Sequence, residues 1–208
     1  MNILTIGAHP DDTEYGCGGT LLKMKEAGHK VFMMIMTRGE VGGDPEIRSK
    51  EQRSVAEFIG VDEIFWGDQA DTKIPVDKEI ISLIDRAIKK SAADVVMFNY
   101  IDDTHQDHRS LARCAISATR HVKQVLMFEV PTTQHFEPDI FVDIGDIIEK
   151  KERLLLLHAS QVEKTGIPHL EIYEGMRACA GFRGYQGRVK YAEGFKAVRY
   201  LMDWRIPC

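Results

Sequence analysis

Two short stretches of this chain concentrate side chains that can hold a metal ion or move a proton. The first is His9-Pro10-Asp11-Asp12-Thr13-Glu14, and the second, far along the chain, is Asp102-Asp103-Thr104-His105-Gln106-Asp107-His108. Catalytic zinc takes three protein ligands and keeps a fourth position for water. His9 and Asp12 are three residues apart, so one helix-like turn can aim both at a single point, and His108 can supply the third ligand. Two histidines and one carboxylate leave the ion positively charged, which acidifies a bound water and polarises a carbonyl. The same donor set also suits Fe2+ or Co2+. Asp11, adjacent to a ligand position, points elsewhere and can take the proton of that water. His105 can face the same cavity as an acid or as a stabiliser of the tetrahedral oxyanion. Asp107 can accept the other N–H of a histidine and fix its tautomer. Each piece has a plainer reading: an Asp-Asp pair after a strand is often a loop with a helix cap, and loop histidines are usually solvated. Two such clusters falling at predicted strand ends is what argues for chemistry.

The elements that must position these residues can be read from the apolar pattern. Asn2–Ala8, Lys30–Met36, Glu63–Trp66, Asp94–Asn99 and Gln124–Glu129 read as strands. Gly19–Ala27, Arg48–Ile59, Val76–Lys90 and Asp107–His121 have helical spacing. The strand runs are apolar without alternation, as expected of strands covered on both faces. Strand–helix alternation with right-handed crossovers predicts a three-layer, Rossmann-like α/β fold with a mostly parallel central sheet. In such sheets function collects beyond the carboxyl ends of the strands, where both clusters fall. Further on, Phe141–Ile144 reads as a strand, Ile147–His158 and Leu170–Arg183 as helices, and Gly181–Gly187 as a loop. No repeat or linker divides the chain, so residues 1–208 are expected to form one domain.

Bulk properties narrow the function classes. With 208 residues, 44% hydrophobic and 28% charged, the chain can bury a full core. A net charge of −5 with no basic stripe argues against a nucleic-acid partner. The N-terminus lacks the marks of a signal peptide, no apolar run approaches the roughly 18 residues of a membrane span, and a cytoplasmic location is expected. Cys17, Cys114, Cys179 and Cys208 form no C-x-x-C pair and read mostly as buried thiols; Cys17 near the metal is the less favoured alternative. A Rossmann-type nucleotide-binding protein is the rival reading. It needs a third glycine after Gly16-Cys17-Gly18-Gly19, where Leu21 stands, and the acidic loop would repel a pyrophosphate.

At Ala8-His9-Pro10-Asp11-Asp12 with Glu14, and at His105-Gln106-Asp107-His108, the sequence resembles the zinc-dependent N-acetylglucosaminyl deacetylases of the PIG-L or LmbE-like family. The resemblance extends through Thr37-Arg38-Gly39-Glu40, Gly42, Arg48 and Glu51, and ends near Tyr191-Ala192-Glu193. It implies His9, Asp12 and His108 as zinc ligands, Asp11 as general base, and His105 as the electrophilic acid, oriented by Asp107. Arg48 matches a position that lies near the substrate's polar groups in relatives, with a plain helix-surface arginine as the competing reading. Glu14 is a further candidate around the substrate or behind the metal, or simply a favourable acid at a helix N-terminus. Gly187–Phe195 resembles the subgroup that makes glucosaminyl-malate in bacillithiol synthesis, although these residues suit oligomer contacts equally well. Asp103 stands where some relatives carry a tyrosine, so no catalytic tyrosine is carried over. The implied activity removes an N-acetyl group from a small N-acetylated sugar conjugate, giving acetate and a free amine, with hydrolysis of a non-sugar amide as the alternative. The resemblance also implies a homo-oligomer. Pocket walls are expected from Thr37–Glu46, Pro131–Pro138 and the C-terminal third.

Overall fold

A computed structural model describes residues 1–201; Cys208 lies outside the described residues. Five strands alternate with four helices: β1 (Asn2–Gly7), α1 (Asp12–Glu26), β2 (Lys30–Thr37), α2 (Pro45–Ile59), β3 (Glu63–Gln69), α3 (Lys78–Ser91), β4 (Val95–Asn99), α4 (Gln106–Ala118) and β5 (Gln124–Phe128). There follow β6 (Ile140–Asp143), α5 (Ile148–Leu156), α6 (Ile172–Gly187) and β7 (Ala192–Arg199). The seven strands form one sheet in the order β3-β2-β1-β4-β5-β7-β6. Strands β1 to β5 run parallel, while β7 is antiparallel to both β5 and β6. No helix among the described residues is long and apolar enough to cross a membrane.

The uninterrupted apolar strands are explained by two cores, one on each sheet face. Ile3, Val31, Met33, Val95, Met97 and Leu126 pack with side chains of α1, α2, α5 and α6. Their neighbours Leu4, Ile6, Met34, Val96, Phe98 and Val125 pack with α3 and α4. Successive strand residues point to opposite faces, so burial on both sides demands apolar residues throughout. The three-layer α/β architecture read from the sequence is the observed one.

Three segments depart from the sequence reading. Helix α1 starts at Asp12, well before Gly19, so the acidic loop is the first turn of a helix. Its glycines are there for close packing: a Cβ on Gly16 would sit 2.1 Å from the Phe128 ring, and one on Gly19 would sit 2.8 Å from Ile144. Buried inside a helix, they cannot form the phosphate turn that a nucleotide-binding reading requires. Helix α6 runs through Gly181–Gly187, a stretch that reads as a loop in the sequence, and ends at Arg188 in a left-handed conformation. Beyond it, Ala192–Phe195 is buried inside strand β7 and packs within the chain, which removes it as a surface for oligomer contacts.

Candidate functional site

The sheet order reverses between β1 and β4, which are direct neighbours. At such a reversal the loops leaving the two strands diverge to opposite faces and open a crevice. The amide of Ala8, just past β1, donates to the Asn99 side chain at the end of β4 (3.2 Å), fixing the two carboxyl ends together. From one end the chain enters α1 at Asp12; from the other it enters α4, whose N-cap is His105. The two clusters therefore occupy the first turns of two helices facing one crevice. Asp11 stands at the N-cap of α1 at φ 98°, a left-handed conformation that costs a non-glycine residue about 1–3 kcal/mol, and its carboxylate makes no cap bond but pairs with Arg48 at 3.2 Å.

Three atoms converge in that crevice. His9 Nδ1 lies 3.2 Å from His108 Nε2 and 3.5 Å from an Asp12 oxygen, which is itself 3.3 Å from His108 Nε2. Tetrahedral coordination with zinc bonds of 2.0–2.1 Å separates ligand atoms by about 3.3–3.4 Å. Two imidazole nitrogens and a carboxylate oxygen in that triangle fit a divalent ion. The far nitrogen of each imidazole meets a carboxylate. His9 Nε2 is 3.0 Å from Asp71 and 3.3 Å from Asp107, and His108 Nδ1 is 3.1 Å from Asp103. Such partners orient metal-binding histidines and raise their basicity. They are anchored in turn: Asp107 accepts the Thr72 and Ile74 amides, and Asp103 accepts the His105 amide and the Thr133 hydroxyl.

The electrostatics follow from burial and these pairings. Burial alone would lower the His108 pKa, but Asp12 and Asp103 outweigh it and bring it to about 9. His9 is likewise raised, against its burial, by Asp107, Asp12 and Asp71. Burial opposes ionisation of Asp71, yet His9 and the Val41 amide hold it at about 2. Asp11 behaves differently: burial pushes it up to about 6 against the pull of Arg48. Burial and the charges of His9 and His108 lower His105.

Asp71 and Asp103 escape the sequence reading as site residues. Asp71 follows β3, the neighbour of β2, and its place after a third parallel strand is the available signal. Asp107 differs from expectation, because its carboxylate faces His9; only its backbone N–H reaches His105, donating to Nδ1 at 3.2 Å. Arg48 is buried and binds the carbonyls of Gly39 and Pro10 as well as Asp11 (2.8, 2.8 and 3.2 Å). It stiffens the loop carrying Asp11 and also lines the crevice, so the reading of a plain helix-surface arginine is the one the structure removes. Of the readings of Glu14, the place around the substrate is corrected: in the first turn of α1, where an acid is favourable, it is fully buried, accepts from Gln52 at 2.7 Å, lies 3.6 Å from His158 and does not line the crevice. Cys17 is buried against Thr5 and does not approach the crevice.

The family described as GlcNAc-PI de-N-acetylase, PIG-L, matches residues 4–119, more than half of the chain. The chain belongs to the PIG-L family. It is similar to the uncharacterized deacetylase YaiS of Escherichia coli K12, 33% identical over 152 residues, 69% of this chain and 82% of that protein. The diacetylchitobiose deacetylase of Thermococcus kodakarensis is 29% identical over 94% of this chain and 82% of its own length. Among solved structures, the conserved protein TT1542 of Thermus thermophilus superposes with a TM-score of 0.87 at 26% identity, covering 100% of this chain and 99% of that one. The PIG-L match spans both histidine clusters, whereas the crevice walls at Val130–Thr132 and Lys164–Gly175 lie beyond it.

Proposed function

We propose that this PIG-L protein removes the N-acetyl group of a GlcNAc-type sugar conjugate, giving acetate and a free amine. His9, Asp12 and His108 are its metal ligands and zinc is the first candidate ion. The observation that carries this reading is the triangle of two imidazole nitrogens and one carboxylate oxygen beside Asp11, a carboxylate outside the triangle and poised near pH 6. The diacetylchitobiose deacetylase among its relatives supports an acetamido-sugar as substrate.

A divalent ion held at the triangle would supply Lewis-acid polarisation of the acetamide carbonyl and a more acidic water. Asp11 lines the crevice, and its carboxylate takes the proton of the attacking water. A carboxyl group with a pKa near 6 can also return a proton near neutral pH, which the departing nitrogen needs in order to leave as an amine. Arg48 holds the Asp11 carboxylate and the Pro10 carbonyl, so the base cannot swing away. His105 takes a narrower part than an acid. Its Nδ1 accepts the Asp107 amide and so carries no proton, and its lowered pKa keeps the ring neutral. It presents an Nε2–H donor, suited to stabilise the developing oxyanion.

The test combines metal analysis with acetate and amine release from diacetylchitobiose and N-acetylglucosamine, on protein loaded with zinc, cobalt or iron. His105→Ala should lower kcat by about 10²–10³ while metal content stays near wild type. Asp12→Ala should empty the metal site. Acetate release by no metal-loaded form, or loss of the ion in His105→Ala, contradicts the assignment.

A further inference from the structure

We propose that the mouth of the crevice selects acetylated sugars whose aglycone is apolar, an aryl or alkyl group, over conjugates bearing a carboxylate or phosphate. This inference rests on the deacetylase reading above and adds the class of group attached to the sugar. The crevice encloses about 410 Å³, within the usual size of a small-molecule site. Its inner end is the polar cluster already described. Its outer walls are aliphatic: Val41 from the loop after β2, Val130 and Pro131 from the loop after β5, and Ile167 and Leu170 from the segment between α5 and α6 with Ile172 at the start of α6. Three separate segments thus deliver apolar side chains to one opening.

Two of these residues stand out by exposure. Val41 is 69% and Ile167 57% exposed although both line the crevice. Large apolar side chains left open to water around a cleft mark a surface that a ligand covers. Five of the six are β-branched or proline, so the wall is stiff and loses little side-chain freedom when a ligand arrives.

Charge points the same way. Among the described residues, Arg48 and Lys164 are the lysine and arginine side chains that line the crevice, and Lys164 is the one beside the outer wall. Arg48 is engaged by Gly39, Pro10 and Asp11, and the Lys164 ammonium donates to the Gly42 carbonyl. Glu171 stands beside Leu170 and Ile172 on the outer wall, while Asp11, Asp12 and Asp71 belong to the inner cluster. An anionic aglycone at the mouth would have to draw Lys164 off a backbone carbonyl while facing the Glu171 carboxylate; an aryl or alkyl group needs no counter-charge.

The experiment measures kcat/KM for acetate release by the zinc-loaded protein from four glycosides of N-acetylglucosamine: methyl, phenyl, octyl and malyl. Phenyl and octyl glycosides should exceed the methyl glycoside at least tenfold, chiefly through KM, on the scale of burying one ring or a few methylenes. The malyl conjugate should not exceed the methyl glycoside. Ile167→Ser and Val41→Ser, both at exposed positions, should each shrink the phenyl-to-methyl ratio severalfold with the melting temperature unchanged. Equal rates for all four glycosides, preference for the malyl conjugate, or unchanged ratios in both variants would overturn the apolar mouth and leave the deacetylase reading standing. Acetate from none of them would overturn the deacetylase reading itself.

Discussion

At the scale of single residues, the site is a set of carboxylate–imidazole pairs whose protons compete with a metal ion. Asp12 is held well below its usual range by His108 and His9, against its burial, and is ionised at any ordinary pH. His108, raised to about 9, carries a proton in the metal-free protein across the neutral range. An ion that binds its Nε2 must displace that proton, so binding is weakest in acid and strengthens as pH rises towards about 9. Zinc or cobalt affinity, measured by competition with a chelator, should tighten about tenfold from pH 7 to pH 8, the change expected of one displaced proton. A constant affinity over that interval would mean that His108 is not a ligand. Two of the aspartates that raise these histidines, Asp71 and Asp103, receive no role from the sequence for a physical reason. Asp71 reaches His9 across a long stretch of chain and carries no spacing signal, while Asp103 reaches His108 through a turn whose direction the sequence does not set.

At the scale of elements, strands β1, β2, β4 and β5 are legible because burial on both faces leaves a largely apolar run, whereas the edge strand β3 is part-buried and shows only a short one. Helices α2 and α3 are legible from their periodicity, each begun by an aspartate whose side chain accepts amides of the first turn. The start of helix α1 is hidden because Gly16, Gly18 and Gly19 look like a breaker, when they are the price of lying tightly against Phe128, Leu154 and Ile144. That closeness admits Glu193 from β7. Its carboxylate accepts the amides of Gly19 and Thr20 at 2.7 Å each, the Thr20 hydroxyl at 2.5 Å and the Lys151 ammonium at 2.6 Å, all buried. Strand β7 itself escapes the sequence reading, since its register depends on partners in β5 and β6 rather than on its own pattern. Glu193→Ala should cost about 3–5 kcal/mol in urea unfolding, because it strands a buried ammonium. Adding Lys151→Met should recover part of that loss. A near-neutral Glu193→Ala would show that the contact holds nothing.

At the scale of the whole molecule, the reversal of strand order between β1 and β4 sets the place of the site, and the histidine clusters flanking it make that place readable before any coordinates. The outer wall is legible only as regions, since residues such as Ile167 and Leu170 belong to a segment without periodicity. A metal ion that binds the folded chain and not the unfolded one adds stability by mass action, about 2.7 kcal/mol at a hundredfold excess over Kd. For a chain of this size that corresponds to a rise of roughly 5–10 °C in Tm. Stripping the protein with a chelator should lower Tm by that amount, and zinc should restore it, whereas Asp12→Ala should melt at one temperature with or without the chelator.

The Glu193 strut has a consequence for how the enzyme comes to life. During translation, His9, Asp12 and His108 have all been made well before residue 193, and the remaining synthesis takes on the order of ten seconds. Through that interval α1 lacks the carboxylate that ties it to the far edge of the sheet. On the proposed reading, every candidate ligand is therefore made before the strand that ties α1 down, and a ribosome stalled short of residue 193 would hold a nascent chain with all three ligands and without that tie.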